Sequence, residues 1–281
     1  MALGPWTELA TGVHALVTGV NVGLVAVEGH AVVVDTLSSP VYAAGILEHL
    51  ASVHPGAKVE WVVNTHSHWD HTFGNQVFVA PVVAQRHVYE TMRANLAAPW
   101  SPAGLEQMRR QIADPASLEG LRVTLPEVLF YDQMELVLRG RTVHLAHFGG
   151  HTPGSSIVFL QEEGIVFAGD DFVVGRYPFM YQARAEDWLA ALRELRAMKP
   201  KVVVPGHGPI VSGRDISREI DKFQGYLEQT VEGVERLMAG GRTKEEAMDS
   251  PVFHKYSDQG YERLHRANIA RVWDEVAARK R

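Results

Sequence analysis

The sequence contains no cysteine, and this absence removes several kinds of chemistry at once. Disulfides, thiolate metal ligands and a cysteine nucleophile are all excluded, and disulfide use gives no indication of the redox compartment. Structural zinc sites are usually built from cysteines, so a metal site in this chain would have to use other donors.

The chain is also poor in basic clusters and in long apolar runs. Its formal net charge is −6, and its longest basic runs are Arg109-Arg110 and the terminal Arg279-Lys280-Arg281. Nucleic acids recruit clustered Lys and Arg, so we expect no nucleic-acid partner. No stretch approaches roughly 18 apolar residues, and the N-terminus lacks the basic start and apolar core of a signal peptide. We therefore expect no membrane association and a cytoplasmic location.

Short apolar runs separated by turn residues predict a protein rich in strands. Val13–Thr18, Val22–Glu28 and Ala31–Asp35 are predicted strands, and hairpins are predicted within 135–145 and 157–168. With 281 residues and 46% hydrophobic content, the chain can bury a sizeable core. Two β-rich halves with helices outside them indicate an α/β (α+β) fold arranged as a layered αββα sandwich.

The simplest division is one sandwich domain, residues 1–214, with a helical C-terminal extension, residues 215–281, packed on it. Within the first domain, residues 86–130 combine helical and proline-containing segments, which is typical of a structural cover or an active-site lid. Pro40 is predicted to open a helix. Thr243-Lys244-Glu245-Glu246 is a candidate capping box in the extension.

The densest chemical signal is the run Thr65–His71, in which three imidazoles and one carboxylate fall within six residues. The run directly follows a predicted strand, Val59–Asn64, so it leaves the sheet at the strand end, where ligands commonly bind in α/β folds. Alternation places His66 and His68 on one side of an extended chain. Imidazole and carboxylate are donors that Zn²⁺ accepts, so the run predicts ligands for one metal or for two neighbouring metals.

Three later residues, His151, Asp170 and His207, each follow an apolar strand-like run and lie beside a glycine. Each is a weak signal alone, because a strand-end histidine or aspartate commonly serves a turn or a hydrogen bond. Together with Thr65–His71, they make four strand ends that deliver ligand-type residues. That recurrence is expected if the strands meet at one edge of a sandwich.

The run His66-Ser67-His68-Trp69-Asp70-His71 resembles the HxHxDH signature of the metallo-β-lactamase superfamily. The later donors follow in the family's order and contexts (HTPGS, AGD and PGHG), and the resemblance covers roughly residues 11–212. It implies a four-layer αββα sandwich with the C-terminal helices outside it. It also implies a ligand set in which His66, His68 and His151 bind the first metal, Asp70, His71 and His207 bind the second, and Asp170 bridges them.

The resemblance further implies two divalent ions about 3.5–4 Å apart that share a hydroxide able to attack a carbonyl or phosphorus centre. Zinc is the first choice of metal, with manganese or iron as alternatives. The first metal would stabilise the developing oxyanion and the second the leaving group. Asp70 is the predicted catalytic residue, since it could orient the hydroxide as well as bind metal.

Residues near the ligands are candidates for the substrate site. Trp69 flanks the metal motif, and Phe179 and Tyr181 follow the bridging aspartate, so these three are candidate substrate-wall residues. Arg176 could pair with a substrate carboxylate or form a structural ion pair. Asp171, next to the bridging aspartate, is expected to be a solvated loop carboxylate.

These features predict a hydrolase that uses a dinuclear metal-bound hydroxide to cleave a small ester, lactone, thioester or lactam. The missing cysteine excludes the β-lactamase branch with a cysteine ligand, whereas the branch with only histidine and aspartate ligands stays open. Val173 stands where lactonases acting on acyl-homoserine lactones often carry tyrosine, which argues against their mechanism. Gly206-His207-Gly208 lacks the Cys-Gly-His-Glu context of glyoxalase-II-like thioesterases, which argues against that class.

Two other functions remain open at this point. One is oxygen chemistry, since persulfide dioxygenases resemble this family but use a single iron. The complete ligand set, including His68, argues against it and against flavodiiron proteins, which have glutamate there. The other is a non-catalytic metal-binding scaffold, although scaffolds normally lose ligands. A small-molecule substrate is the expected partner, and the sequence leaves its identity and the oligomeric state open.

Overall fold

In the computed structural model, the described residues are 4–253, 256 and 264–279. Lys280 and Arg281, the end of the basic terminal run, lie outside this set, as do the first three residues of the chain. The described residues form two β-sheets with helices on their outer faces. Among them, no helix combines the length and the apolar character needed to cross a membrane.

The first sheet has seven strands that follow one another in chain order. They are β1 (Trp6–Ala10), β2 (Val13–Leu16), β3 (Val22–Val27), β4 (His30–Val34), β5 (Lys58–Asn64), β6 (Val82–Gln85) and β7 (Val128–Phe130). The first four pair antiparallel through short turns, and the last four pair parallel. Parallel neighbours need a crossover, which helix α1 (Pro40–Val53) supplies between β4 and β5.

The second sheet has six strands in the order β13-β12-β11-β10-β9-β8. Their bounds are β8 (Gln133–Leu138), β9 (Arg141–His147), β10 (Ser156–Leu160), β11 (Ile165–Phe167), β12 (Val202–Val204) and β13 (Val211–Ser212). Both predicted hairpins are confirmed as the antiparallel pairs β8–β9 and β10–β11. Helix α5 (Ala185–Ala197) makes the crossover between the parallel strands β11 and β12.

The remaining helices are α2 (Trp69–Thr72), α3 (Arg86–Asn95), α4 (Pro102–Arg109), α6 (Arg214–Ala239), α7 (Lys244–Met248) and α8 (Arg266–Arg279). Helix α1 begins as predicted, with Pro40 in its first turn and the Ser39 side chain accepting a hydrogen bond from the Tyr42 backbone N–H. The predicted capping box of Thr243 and Glu246 is present at α7.

Three apolar layers confirm the αββα sandwich. The middle layer joins the inner faces of the two sheets, for example Val32 and Val63 from the first and Leu145 and Phe167 from the second. A second cluster packs α1 on the outer face of the first sheet. The third and largest packs α5, α6 and α8 on the second sheet, so the C-terminal helices continue its outer layer.

Residues 86–130 are only partly the helical insertion that we predicted. Helices α3 and α4 are present, but residues 128–130 form strand β7 and belong to the first sheet. Trp100 and Leu118 pack with Phe73, directly after the histidine-rich run. The segment therefore supports the back of that run.

Helix α8 holds the segment between β11 and α5 through buried hydrogen bonds. The Asn268 side-chain amide donates to the Pro178 carbonyl and the Tyr226 hydroxyl, both at 2.8 Å, and its oxygen accepts the Met180 N–H at 3.2 Å. Glu275 accepts the Ala185 N–H at 2.9 Å, at the start of α5. Buried backbone groups need such partners, so the extension fixes the course of residues 178–185.

Replacing Asn268 with alanine should destabilise the protein by about 2–4 kcal/mol, because three buried hydrogen bonds are lost together. Urea denaturation measures the effect. The matched control on the same helix is Asp274→Asn, which removes only an exposed ion pair to Lys244 and should cost less than about 1 kcal/mol. Equal midpoints for the two variants would contradict this role of Asn268.

Candidate metal centre

Five histidines and two aspartates meet at one edge of the sandwich, where strands of both sheets end. The run after β5 bends at residues 65–67, and after His68 it forms the single-turn helix α2. Two loops of the second sheet, after β9 and β11, deliver one donor each, and the loop after β12 delivers a third. The residues concerned are His66, His68, Asp70, His71, His151, Asp170 and His207.

One group of donors consists of His66, His68, His151 and Asp170, whose ligand atoms lie within 4.8 Å of one another. The Nε2 atom of His151 is 2.9 Å from Nδ1 of His68 and 3.4 Å from Oδ2 of Asp170. The Nε2 atom of His66 is 3.9 Å from the same carboxylate oxygen. Three imidazoles and a carboxylate therefore converge on one point.

A second group consists of Asp70, His71 and His207. Oδ2 of Asp70 lies 3.8 Å from Nε2 of His71 and 3.5 Å from Nε2 of His207. The two imidazoles each lie 3.3 Å from an oxygen of Asp170. Asp170 thus stands between the two groups, at the position that the family resemblance gives to a bridging ligand.

Unpartnered buried atoms indicate that a cation fits this cluster. Nε2 of His66, Nε2 of His71 and Oδ1 of Asp170 are buried and have no hydrogen-bond partner among the described residues. Buried polar atoms normally have partners, and these three face one another. Imidazole and carboxylate donors without thiolate suit zinc and other first-row divalent ions, so the residues fit divalent metal binding.

Burial and neighbouring charges shift the pKa values of the clustered histidines in opposite directions. Burial lowers the pKa of His66 well below its ordinary value and that of His151 to about 3, so both are neutral and offer a lone pair. Burial also lowers the pKa of His207 and His71, but Asp170 and nearby carboxylates outweigh it. The pKa of His207 rises to about 9, and that of His71 lies well above its ordinary value. Metal binding by these two would therefore release protons.

Asp35 orients the cluster from behind, and our sequence analysis did not identify it. It follows β4 and accepts three hydrogen bonds: from the Thr65 N–H at 2.8 Å, the Thr65 hydroxyl at 2.7 Å and Nδ1 of His71 at 2.8 Å. The last bond turns Nε2 of His71 towards Asp170. Asp35 also lies within ligand range of His66 and His71, but these bonds occupy both its oxygens. The available signal was its place at the end of a predicted strand.

A turn between β2 and β3 holds His207 in place. Nδ1 of His207 donates to the Gly19 carbonyl, which leaves Nε2 facing the aspartates. The Asn21 amide donates to the carbonyls of Pro205 and Gly208, both at 2.8 Å, and so ties the first sheet to the loop after β12. Position 206 requires glycine, because the Cβ atom of any other residue would lie 2.0 Å from Oδ1 of Asp170.

Asp171 is not the solvated carboxylate that we expected. Its side chain is buried, and Oδ1 accepts the backbone N–H of His151 at 3.1 Å. Burial raises the pKa of Asp171 well above its ordinary value. Its carbonyl accepts the indole N–H of Trp188 at 2.9 Å, so the residue anchors the His151 loop to α5.

A cavity of about 410 Å³ opens onto the cluster. Its walls include His68, Asp70, Asp170 and His207, together with Trp69, Val173, Arg176, Tyr177, Phe179 and Leu264. The Phe179 ring lies 5.8 Å from that of His68. Tyr181 is 74% exposed and stacks on Phe179 outside the cavity wall. Segment 86–130 contributes none of these described wall residues, so the lid role that we considered for it has no support.

His68 has a further neighbour that the sequence did not reveal. Its Nδ1 atom points to His151, and its Nε2 atom lies 3.0 Å from Oε1 of Gln182. An N–H at Nε2 donating to this oxygen leaves Nδ1 as the free lone pair. Gln182 lies in the segment that α8 holds, so one ligand is oriented from the C-terminal side of the fold.

Replacing Asp35 with asparagine should weaken zinc binding about 10–100-fold, because His71 loses the carboxylate that orients it. Competition with a chelator of known zinc affinity measures the change, and circular dichroism checks the fold. Glu135→Gln is the control, since Glu135 pairs with the partly exposed His144 away from the cluster. Unchanged zinc affinity in a folded Asp35→Asn variant would contradict the orienting role.

Comparison with known proteins identifies the same family that the ligand motif resembles. The model of the metallo-beta-lactamase superfamily matches residues 15–207. The beta-lactamase-like protein 2 homolog of Caenorhabditis elegans is 24% identical over 260 residues, which cover 91% of this chain and 74% of that protein. The linear primary-alkylsulfatase of a Pseudomonas species is 23% identical over 253 residues, or 78% of this chain and 47% of the alkylsulfatase.

Among the solved structures that share the fold, two that cover nearly all of this chain illustrate the similarity. The inverting sec-alkylsulfatase Pisa1 from Pseudomonas sp. superposes with a TM-score of 0.77 at 16% identity, over 97% of this chain and 50% of that one. A metallo-beta-lactamase family protein from Thermus thermophilus gives a TM-score of 0.69 at 21% identity, over 97% and 95% of the two chains. The chain thus spans about half the length of these alkylsulfatases. From the match over residues 15–207, the chain belongs to the metallo-beta-lactamase superfamily.

Proposed function

We propose that this protein is a hydrolase that holds two divalent ions, zinc in the first place, and cleaves an ester, lactone, thioester or lactam bond in a small molecule. One observation carries the proposal: donors fill all seven ligand positions of the family and converge in one cluster, and four of them line an open cavity. Membership of the superfamily supports metal-dependent hydrolysis as the general class of reaction.

The position of each ligand decides which of the two ions it would hold. His66, His68 and His151 would hold one ion, Asp70, His71 and His207 the other, and Asp170 both. Bound divalent ions would make water acidic enough to supply hydroxide near neutral pH and would polarise the scissile bond.

Asp70 is the ligand carboxylate best placed to act on water. It lines the cavity, and its side chain is 21% exposed, against 8% for Asp170. In the absence of metal, the charges of His71 and His207 outweigh the effect of burial and lower the pKa of Asp70 to about 2. A carboxylate that binds a divalent ion is likewise ionised, so Asp70 would accept hydrogen bonds in the metal-loaded protein as well. We therefore assign to Asp70 the orientation of the attacking water.

Sulfate-ester hydrolysis is a second candidate, because the alkylsulfatases match this chain in both sequence and structure. Their extra length and the low identities leave this as a proposal. The two remaining alternatives have less support. A binding scaffold does not need a complete ligand set beside an open cavity, and a single-iron dioxygenase would leave Asp70, His71 and His207 unused.

The test is metal analysis and turnover on one purified sample, before and after chelation, with ester, lactone, thioester, lactam and alkyl sulfate probes. We expect two zinc or manganese ions per chain, and turnover that chelation abolishes and metal restores. Replacing His151 with alanine should lower turnover by more than about 100-fold, because it removes a metal ligand. Loss of a hydrogen bond to a ligand typically costs only about 10–100-fold. His144→Ala, in strand β9 and away from the cluster, is the control.

Two results would reject the proposal. A fully metallated sample that hydrolyses none of these probes would remove the hydrolase assignment. A single iron per chain, with oxygen consumed on a persulfide, would replace it with the dioxygenase alternative.

A further inference from the structure

The cavity wall contains a cation, Arg176, for which no partner is found among the described residues. Arg176 is half-buried and lines the cavity, yet among the described residues its guanidinium makes no ion pair and no hydrogen bond. Other partly buried arginines have partners: Arg141 pairs with Glu163 at 3.0 Å, and Arg271 donates to the Ala183 carbonyl at 3.0 Å. Partial burial of an unpaired charge is unfavourable, so an anion entering the cavity would find an unused binding group.

Arg176 is not needed to hold its own segment in place. The backbone just beyond it is fixed by Asn268, which binds the Pro178 carbonyl and the Met180 N–H. The Tyr177 side chain between them is fully buried in the outer core. The structural alternative from the sequence analysis, an ion pair that stabilises the fold, therefore has no counterpart among the described residues.

Apolar side chains line the same cavity as Arg176. They are Trp69, Phe179 and Leu264, and the Phe179 side chain is 37% exposed. A cavity lined by an exposed aromatic ring and by a guanidinium with no partner in the described part of the chain is apolar in one part and cationic in another. Such a surface complements a molecule with an apolar body and an anionic group.

We propose that Arg176 is a specificity-determining residue that binds an anionic group of the substrate, whose apolar part packs on Trp69 and Phe179. This inference rests on the proposed hydrolase function. The planar guanidinium donates two parallel hydrogen bonds to a carboxylate or sulfate, which makes it selective for such groups. The anion is either a carboxylate elsewhere on an ester substrate or the sulfate of a scissile sulfate ester.

The first experiment compares matched esters on metal-loaded enzyme. The probes are 4-nitrophenyl octanoate and the mono-4-nitrophenyl esters of hexanedioic, octanedioic and decanedioic acids, with octyl sulfate as the sulfate arm. The variants are Arg176→Gln, Arg176→Lys and Arg193→Gln, the last an exposed arginine on α5 with the same loss of charge.

In the wild type, at least one carboxylate-bearing ester should be cleaved with a higher kcat/KM than the octanoate, or octyl sulfate should be cleaved. Arg176→Gln should lower the anionic-to-neutral ratio of kcat/KM, or the kcat/KM for octyl sulfate, about 10–100-fold. Arg176→Lys should recover part of it, and Arg193→Gln should match the wild type. If Arg176→Gln lowers kcat/KM for the dicarboxylic monoesters, Arg176 binds an anion away from the scissile bond. If it lowers kcat/KM for octyl sulfate alone, Arg176 binds the scissile sulfate group itself.

Equilibrium binding separates this inference from the proposed function. Calorimetry on the metal-loaded protein compares octanedioate with octanoate, because both ligands offer one carboxylate to the metal centre and only octanedioate offers a second to Arg176. Tighter octanedioate binding that disappears in Arg176→Gln would support the anion subsite even if no ester were hydrolysed. The inference is overturned if Arg176→Gln leaves both the binding difference and the rate ratios unchanged, or if Arg193→Gln lowers them equally.

Discussion

The metal centre depends on one buried carboxylate, that of Asp35. Its two oxygens accept the Thr65 N–H, the Thr65 hydroxyl and Nδ1 of His71, so the end of β4 is joined to the run that leaves β5. Asp35 adopts a φ of +60°, which is unfavourable for a residue with a Cβ. The three hydrogen bonds offset that strain, and in return they fix the direction from which His71 approaches Asp170.

The donors themselves could be predicted from the sequence because each carries a local signal, a histidine or aspartate just after an apolar run. The sandwich could be predicted for the same reason, from strand-like runs and turns. Asn21 and Gln182 could not, because their partners, Pro205 and His68, are 184 and 114 residues away. Asp171 was misjudged because burial depends on α5, whose Trp188 covers the loop.

The C-terminal helices could be predicted as helices, but their contacts could not. The periodic apolar residues of α6 and the capping box of α7 indicate helical structure, whereas periodicity does not say which groups a helix contacts. Asn268 is a polar residue in α8 whose role comes only from its contacts with Pro178 and Met180. Through these contacts the extension shapes the cavity wall, although it lies outside the region that the family model matches.

The metal donors and the cavity wall are positioned by different parts of the fold. The donors lie at strand ends, whose positions the sandwich fixes. The complete set of donors therefore indicates the general chemistry of the family but not the substrate. Beyond the donors, the wall comes from Trp69, from residues 173–179 and from Leu264. Asn268 of α8 holds part of that segment in place. A change at Arg176 would alter which molecules fit without removing a contact to a ligand, whereas Gln182, later in the same segment, hydrogen-bonds His68. The substrate class therefore has to be inferred from wall residues such as Phe179, whose ring is exposed, and Arg176, whose charge is unpaired within residues 4–253, 256 and 264–279.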